Sequence, residues 1–284
     1  MSEDLQKVKT LLKVRGCSSR TVTNYISCIN RFKKHFEGRN LEKLNEDDIL
    51  LYIKENFIDL EYAPATINVN IAAIKYYYIV NFKIELNNTL LPSCKIYRRY
   101  PYIFDKKDIM LLISSTKNIK HKIWICLGYG SGLRVSEVAK LKIGDFSHRL
   151  HKIRIVGKGN KERFVPFPEF TYKLLLKYYE ENKVKIKNSD NYLFPSSKNN
   201  HISQHILEDT IKQIFSNIKR KFNLGSEVSF HTLRHSFATD YMIKGGDIWK
   251  LKNMLGHNSI NSTMIYLHMA NNFNEIHSPL DEIL

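Results

Sequence analysis

Four short segments of the sequence place cations beside Gly, His or Tyr. They are GLRVSE at 132–137, GKGNKER at 157–163, FHTLRH at 230–235, and LGHN at 255–258 with Tyr266 nine residues after His257. Arginine, lysine and histidine side chains can bind and protonate a phosphoryl group, and a phenol can attack one. The chemistry these segments suggest is therefore phosphoryl transfer stabilised by positioned cations.

The first segment pairs Arg134 with Glu137. Gly132 permits a tight entry into a helix, and Arg134 is predicted in the first turn, where the helix dipole disfavours a cation. A cation placed there suggests an anion nearby, and Glu137, one turn further on, can hold the guanidinium. Taken alone, an ordinary surface ion pair explains this segment better.

The second segment is a basic turn, 157–160, between two β-prone runs at 152–156 and 163–167. The pattern predicts a hairpin. Lys158 at its tip can reach a phosphate, and a lysine whose pKa is lowered by neighbouring cations can act as a general acid. Basic hairpin tips are nevertheless common as solvated turns.

The third segment places His231 and Arg234 one turn apart on the same helix face. His231 and His235 have the i, i+4 spacing of zinc ligands, but Thr232 stands where the zinc-protease pattern requires Glu. A face with His and Arg suits a phosphoryl group better, because Arg can bond it through two N–H groups and His can transfer a proton.

The fourth segment combines a predicted helix C-cap at Gly256 with His257 and, in the next helix, Tyr266. With 16 tyrosines in the chain, Tyr266 is notable only in company with the other three segments. No carboxylate cluster for Mg²⁺ accompanies them. Arg…Lys…His-x-x-Arg…His…Tyr is thus a specific order, and it suits a tyrosine that attacks a phosphodiester and holds it covalently.

The composition indicates a folded, basic protein. The chain has 284 residues and a formal net charge of +16, which indicates two modest domains and a polyanionic partner, most simply nucleic acid. Its four cysteines form no C-x-x-C pair, so we expect a reduced intracellular setting. No signal peptide or membrane-spanning run is present, and the expected location is cytoplasmic and nucleoid-associated.

The charge is distributed unevenly along the chain. Residues 1–95 carry a net +3 and residues 96–284 a net +13. Turn-forming residues at 87–93 lead into the basic stretch 95–101, where Pro101 disfavours helix. We therefore predict a domain of residues 1–95, a linker at about 87–101, and a second domain of residues 102–284.

Helical periodicity and caps predict four helices in the first domain. Ser18 or Ser19 caps the second helix, Asn45 caps the third, and Pro64 begins the fourth. In the second domain a helix begins after Asp105. The further predicted helices are 119–130, a short one after Gly132, 169–187, 202–222, 230–244, 247–255 and 260–270.

The four segments together resemble the tyrosine recombinases of the phage-integrase and Xer class. The matching stretches are GSGLRVSEVAKL at 130–141, VGKGNKERFVP at 156–166, HTLRHSFAT at 231–239 and MLGHNSINSTMIYLH at 254–268. They occur in the order and spacing of that family, and the 73 residues from Lys158 to His231 resemble the compact Xer arrangement. Residues 1–95 match only as a four-helix, core-binding pattern.

The resemblance implies a mainly α fold. It consists of an N-terminal four-helix core-binding (SAM-like) domain and a C-terminal mixed α/β catalytic domain of the tyrosine-recombinase/type IB topoisomerase type, with a small antiparallel three-stranded sheet. The two domains are expected to form a C-shaped clamp around duplex DNA.

The resemblance also implies catalytic roles. Tyr266 is the expected nucleophile, which forms a 3′-phosphotyrosyl link, and Arg134 and Arg234 clamp the non-bridging oxygens. His257 donates a further hydrogen bond, and Lys158 protonates the leaving 5′-oxygen.

Two more residues complete the implied centre. His231 assists proton transfer from Tyr266, and Glu137 orients the centre from behind. Because one phosphodiester is exchanged for a phosphotyrosine, no ATP, metal or other cofactor is expected.

The expected partner is double-stranded DNA with a specific recombination site. Arg98 and Arg99 in the linker, and Lys161 and Arg163 beside the hairpin, are the expected DNA-binding cations. The expected assembly is a homotetramer on paired sites, closed by exchange of the C-terminal tail, 271–284.

Several alternatives stay open at this point. One is a type IB topoisomerase-like enzyme that relaxes DNA, and another is a DNA-binding regulator without catalysis. A scaffold for acidic proteins is a third. The sequence does not separate chromosome or plasmid dimer resolution from mobile-element integration.

Overall fold

The computed structural model describes residues 2–96, 100–157, 161–182, 188–196 and 204–273. The chain divides into two compact units, residues 1–98 and residues 99–284. Among the described residues, no helix is both long and apolar enough to cross a bilayer.

The first unit is built from four α-helices. They are α1 (Glu3–Val14), α2 (Ser19–His35), α3 (Glu46–Ile53), which continues into a π-helical turn (Lys54–Ile58), and α4 (Pro64–Asn81), with a 3₁₀ turn at Leu41–Lys43. The predicted caps are confirmed: Ser18 accepts from the Thr21 amide, and Asn45 forms a capping box with Asp48.

Aromatic residues fill the centre of this unit. The Phe32 ring meets those of Tyr52 and Tyr78 edge to face, with centroids 5.2 and 6.2 Å apart. All three side chains are fully buried, and edge-to-face pairs stabilise such a core beyond their buried area. The unit therefore has its own hydrophobic core.

The second unit is mostly helical. Its helices are α5 (Lys106–Ser115), α6 (Ile119–Gly130), α7 (Val135–Lys140), α8 (Glu169–Glu181), α9 (Glu208–Lys221), α10 (Phe230–Ile243), α11 (Ile248–Leu255) and α12 (Asn261–Phe273). Helix α6 is buried through its middle, and α10 packs against both α6 and α12.

A small antiparallel sheet lies between α7 and α8. It has the order β1 (Phe146–Ser147), β2 (Lys152–Val156) and β3 (Glu162–Pro166), and Ile153 pairs with Val165. Burial alternates along β2, so Ile153 and Ile155 face the core, and Lys152, Arg154 and Val156 face solvent. The mainly helical fold with a small three-stranded sheet is therefore confirmed.

Two predicted helices differ from the observed ones. The helix predicted at 202–222 begins at Glu208, because the backbone at Gln204 and Ile206 instead hydrogen-bonds Ser196 and Phe194 in a short antiparallel bridge. The helix predicted at 169–187 runs over Glu169–Glu181, and residues 183–187 lie outside the described part of the chain.

Candidate active site

Three arginines gather around one carboxylate in the second unit. Glu137 Oε1 lies 2.9 Å from Arg134 Nη1, and Glu137 Oε2 lies 2.8 Å from Arg163 Nη2 and 3.7 Å from Arg234 Nη1. Three cations and one anion leave this cluster with a surplus of two positive charges. A buried surplus of that kind suits a phosphate or another anion.

The N-terminus of α7 places Arg134 and Glu137. Arg134 is the N-cap of that helix, not a first-turn residue as the sequence suggested, and its backbone N–H donates to Glu137 Oε2 at 2.9 Å. Glu137, at the third helical position, therefore both caps the helix and binds the guanidinium of Arg134. Arg134 keeps about a third of its side chain exposed (35%), so it can still bind a ligand.

Glu137 stays ionised in this cluster. Burial by itself would raise the pKa of Glu137, but the Arg163 guanidinium, the Arg134 amide and Arg234 outweigh burial and hold it below its usual value. The carboxylate is therefore a permanent anion that aligns the surrounding arginines.

We expect Glu137→Gln to lower the free energy of unfolding by about 3 kcal/mol at neutral pH, because it leaves three arginines without a counter-charge. Since the folded pKa of Glu137 is lowered, its stabilising effect is complete above about pH 4.3 and is lost as the pH falls further. Urea unfolding of both proteins between pH 3 and 8 measures this difference.

The exposed ion pair between Glu162 and Arg154 offers a matched control. Glu162→Gln should change stability by less than about 1 kcal/mol, since exposed pairs contribute little. A stability difference for Glu137→Gln that stayed constant down to pH 3 would contradict the assigned charge.

Arg234 is the most enclosed cation of the cluster. Its side chain is 0% exposed, Nη1 donates to Gly132 O at 2.8 Å, and Nη2 donates to Leu255 O at 2.5 Å. Burial, followed by repulsion from Arg134, lowers the pKa of Arg234 to about 10. Among the described residues its buried Nε has no hydrogen-bond partner, which leaves one strong donor for an anion.

Gly132 makes the Arg234 contact possible. Its φ is +66°, and a Cβ added there would lie 2.4 Å from Cδ1 of Phe237. We expect Gly132→Ala to lower the free energy of unfolding by about 3 kcal/mol, which combines left-handed strain with the clash. Equilibrium unfolding in urea measures this loss.

Gly245→Ala separates the two terms of that prediction. Gly245 has a φ of +76° but no atom within 4 Å of an added Cβ. Its replacement should cost about 1 kcal/mol from backbone strain alone. Equal losses for the two variants would show that the Phe237 contact is unimportant.

The side chain of Arg163 is mostly buried. Its position beside the hairpin had suggested an exposed cation that contacts DNA. Its Nε donates to Met254 O at 2.7 Å, Nη2 reaches Glu137, and only 11% of the side chain is exposed. Gly256, the predicted C-cap, is confirmed with a φ of +63°, and a Cβ there would lie 3.2 Å from Arg163 Nε. Arg163 therefore ties β3 to the end of α11.

His257 follows Gly256 and faces Arg234. Its Nε2 lies 3.3 Å from Arg234 Nη2, and its Nδ1 lies 3.0 Å from Thr263 Oγ1. Burial, with Arg234 the next cause, lowers the pKa of His257 to about 4, so the ring is neutral at pH 7. Since Arg234 can only donate, Nε2 accepts and Nδ1 carries the proton in this arrangement.

Tyr266 is buried on α12, with 2% of its surface exposed. Burial raises the pKa of Tyr266, against the opposing effect of Arg234 and Arg134, so the phenol is protonated at neutral pH. Its hydroxyl lies 2.9 Å from Nδ1 of His235. The His257 ring lies beside the Tyr266 ring at a centroid distance of 6.4 Å.

His235, whose spacing from His231 suggested only a zinc ligand, is thus part of the site. His231, the expected partner of Tyr266, is exposed, and no hydrogen bond joins it to Tyr266 among the described residues. The signal available in the sequence was that His235 directly follows Arg234 and lies one turn after His231.

An open cavity of about 730 Å³ borders the cluster. Arg134 and Glu137 line it, together with Lys140, Arg154 and Gly157. Lys158, next to Gly157, lies outside the described residues, as do Arg98 and Arg99. Lys161 is exposed, and its carbonyl accepts from the Gly157 amide at 2.8 Å.

The chain is similar to known protein families and proteins. The family described as "Phage integrase family" matches residues 103–272, and the family described as "Phage integrase, N-terminal SAM-like domain" matches residues 5–87. The tyrosine recombinase XerC of Herpetosiphon aurantiacus is 30% identical over 288 residues, covering 95% of this chain and 92% of that protein.

Two solved structures show the same fold. A XerH site-specific recombinase in a post-cleavage complex with a palindromic difH substrate has a TM-score of 0.77 at 22% identity, covering 96% of this chain and 83% of that one. A lambda integrase tetramer bound to a Holliday junction has a TM-score of 0.71 at 17% identity, with 96% and 79% covered.

Proposed function

The chain belongs to the phage integrase family of tyrosine recombinases, and on that premise we propose that it recombines specific DNA sites through a 3′-phosphotyrosyl intermediate. The observation that carries the proposal is the cluster of three arginines around Glu137, two of which, Arg234 and Arg134, are close enough to Tyr266 to act on the pKa of its phenol. Its surplus positive charge matches a phosphodiester, whose charge increases in the transition state.

In the proposed reaction, Tyr266 Oη attacks the scissile phosphorus, and the bond from phosphorus to the 5′-oxygen breaks. Arg134 and Arg234 donate to the non-bridging oxygens. The partly exposed Arg134 and the unpartnered Nε of Arg234 support these roles. His257 donates a further hydrogen bond from Nε2 in its other tautomer, in which Nε2 carries the proton and Nδ1 accepts from the Thr263 hydroxyl.

Lys158 is the proposed general acid for the 5′-oxygen. Gly157, which precedes it, lines the cavity beside Arg134, and this placement supports the role. Glu137 and Arg163 act behind the arginines as positioning residues. Since the phosphotyrosine retains the energy of the broken phosphodiester, the cycle needs no external energy source.

The proposed substrate is duplex DNA that carries a specific site, and the proposed assembly is a tetramer on two such sites. The XerH relative is bound to its difH substrate, and the lambda integrase relative forms a tetramer on a Holliday junction. The tail expected to join the protomers falls largely at 274–284, outside the described residues, and its exchange stays a prediction, as do DNA contacts by Arg98, Arg99 and Lys161.

The test begins with selection of the DNA site. The protein is incubated with a randomised duplex library that carries nicks, and DNA covalently attached to protein is recovered and sequenced. Two differently labelled duplexes with the recovered site are then incubated with the protein. Exchange of labelled arms is the expected result.

The other outcomes identify the alternatives. If the protein relaxed a supercoiled plasmid that carries the site but exchanged no arms, its activity would be that of a topoisomerase and not of a recombinase. Specific binding without any covalent adduct would indicate a regulator that has no cleavage activity.

A further inference from the structure

The hydroxyl of Tyr266 is held by a histidine to which the sequence pattern assigned no role. His235 Nδ1 lies 2.9 Å from Tyr266 Oη, and the two ring centroids are 5.7 Å apart. His235 lies on α10 and Tyr266 on α12, and these two helices pack against each other. The contact therefore depends on the packing of the two helices.

The protonation states of the pair are defined by their surroundings. Burial, followed by the neighbouring His231, Arg234 and His257, lowers the pKa of His235 to about 4. The imidazole is therefore neutral at pH 7, and one of its nitrogens carries a free lone pair. Because the phenol of Tyr266 is protonated, its O–H can donate to that lone pair.

We propose that His235 is a catalytic residue that orients the Tyr266 hydroxyl and accepts its proton during DNA cleavage. This role rests on the proposed recombinase function. As Oη bonds to phosphorus, the phenolic O–H bond breaks and the proton moves to His235 Nδ1. At the same time the bond between phosphorus and the 5′-oxygen breaks, and that oxygen takes a proton from Lys158, the proposed general acid. In rejoining, His235 returns its proton to Oη.

A bound phosphate would favour this transfer. Burial is the main cause of the lowered pKa of His235, and Arg234 is the permanent cation among the groups that lower it further. A phosphodiester bound to Arg234 would offset that positive charge and so stabilise an imidazolium at His235. Proton transfer is therefore coupled to occupancy of the site, which protects the tyrosine from ionising without DNA.

His231 fits this scheme as the next group outward. Its ring meets that of His235 edge to face, with centroids 4.5 Å apart, and it is exposed where His235 is partly buried. The proton that His235 holds between cleavage and rejoining can therefore exchange with solvent on the side of His231. Both histidines then assist proton transfer from Tyr266, and His235 is the one that contacts its hydroxyl directly.

The test compares His235→Asn and His235→Leu on the DNA site recovered by covalent selection. Asn can hold the hydroxyl through an oxygen near the place of Nδ1 but cannot accept a proton at neutral pH, and Leu can do neither. Single-turnover cleavage at saturating protein should fall about 100-fold for Asn and further for Leu. DNA affinity and the thermal midpoint, measured in parallel, should stay close to wild type.

A second substrate shows whether the defect lies at the nucleophile or at the leaving group. Replacing the bridging 5′-oxygen by sulfur gives a leaving group that needs no proton. The His235→Asn defect should persist on this substrate, whereas the defect of Lys158→Ala, the matched leaving-group variant, should largely disappear.

Three results would overturn the role of His235. They are wild-type cleavage by His235→Asn, wild-type cleavage by His235→Leu, and rescue of either variant by the sulfur substrate. Adduct formation by the wild-type protein is measured before that of the variants. If the wild type formed no adduct, the recombinase function itself would be overturned, and the role of His235 with it.

Discussion

Tyr266→Phe is expected to abolish covalent capture of DNA and to leave DNA binding intact. The substitution removes one oxygen, and the remaining ring fills the same space in the core beside Leu255 and Met269. Without the nucleophile the adduct should fall at least about 10⁴-fold, because no neighbouring group can form the same bond. The measurement is the yield of protein–DNA adduct on a nicked substrate.

The fold should tolerate this change. The lost hydrogen bond to His235 contributes about 1 kcal/mol to stability, so the thermal midpoint should fall only slightly. Tyr241→Phe is the matched control, since it removes a phenolic oxygen from α10 that makes no hydrogen bond among the described residues. Covalent adduct formed by Tyr266→Phe would show that another residue is the nucleophile.

Arg234→Lys is expected to reduce cleavage about 100- to 1,000-fold even though the charge is retained. The Arg234 guanidinium bonds the carbonyls of Gly132 and Leu255 at once and leaves Nε for the phosphate. A lysine ammonium is a single point on a flexible stem and cannot reproduce these directions. Single-turnover cleavage measures the loss.

Arg220→Lys is the matched control for this substitution. Arg220 is exposed in the last turn of α9, where its guanidinium donates to Asn217, and the change again retains charge. It should cleave at the wild-type rate. If Arg234→Lys also cleaved at that rate, the charge of Arg234 would suffice and its geometry would be unimportant.

These two effects have different physical origins. Tyr266 supplies the bond-forming atom, so its loss removes a reaction path. Arg234 supplies oriented donors, so its replacement raises a barrier on a path that still exists. We therefore expect Arg234→Lys to retain partial cleavage activity and Tyr266→Phe to have none.

The local structure of both units was largely predictable from the sequence. The caps at Ser18, Asn45 and Gly256 and the hairpin at 152–166 depend on residues a few positions apart. The start of α9 was not predictable, because pairing of Ile206 with Phe194 competes with local helix preference. Local preferences are weak and yield to such contacts.

The sequence by itself determined the residue types, their order and their placement on helices and turns. The order Arg134, Lys158, His231, Arg234, His257 and Tyr266 sufficed to identify the family, because each position carries a chemically demanding group. The pairing of Arg134 with Glu137 also followed from sequence, since both lie in one helical turn.

Only the tertiary structure decided which of these groups touch. Arg163 reaches Met254, Arg234 reaches Gly132, and His235, not His231, bonds Tyr266. These partners are 91, 102 and 31 residues apart, and their distances depend on how α10, α11, α12 and β3 pack together. That packing is the sum of many small side-chain contacts across the core, which residue spacing along the chain does not contain.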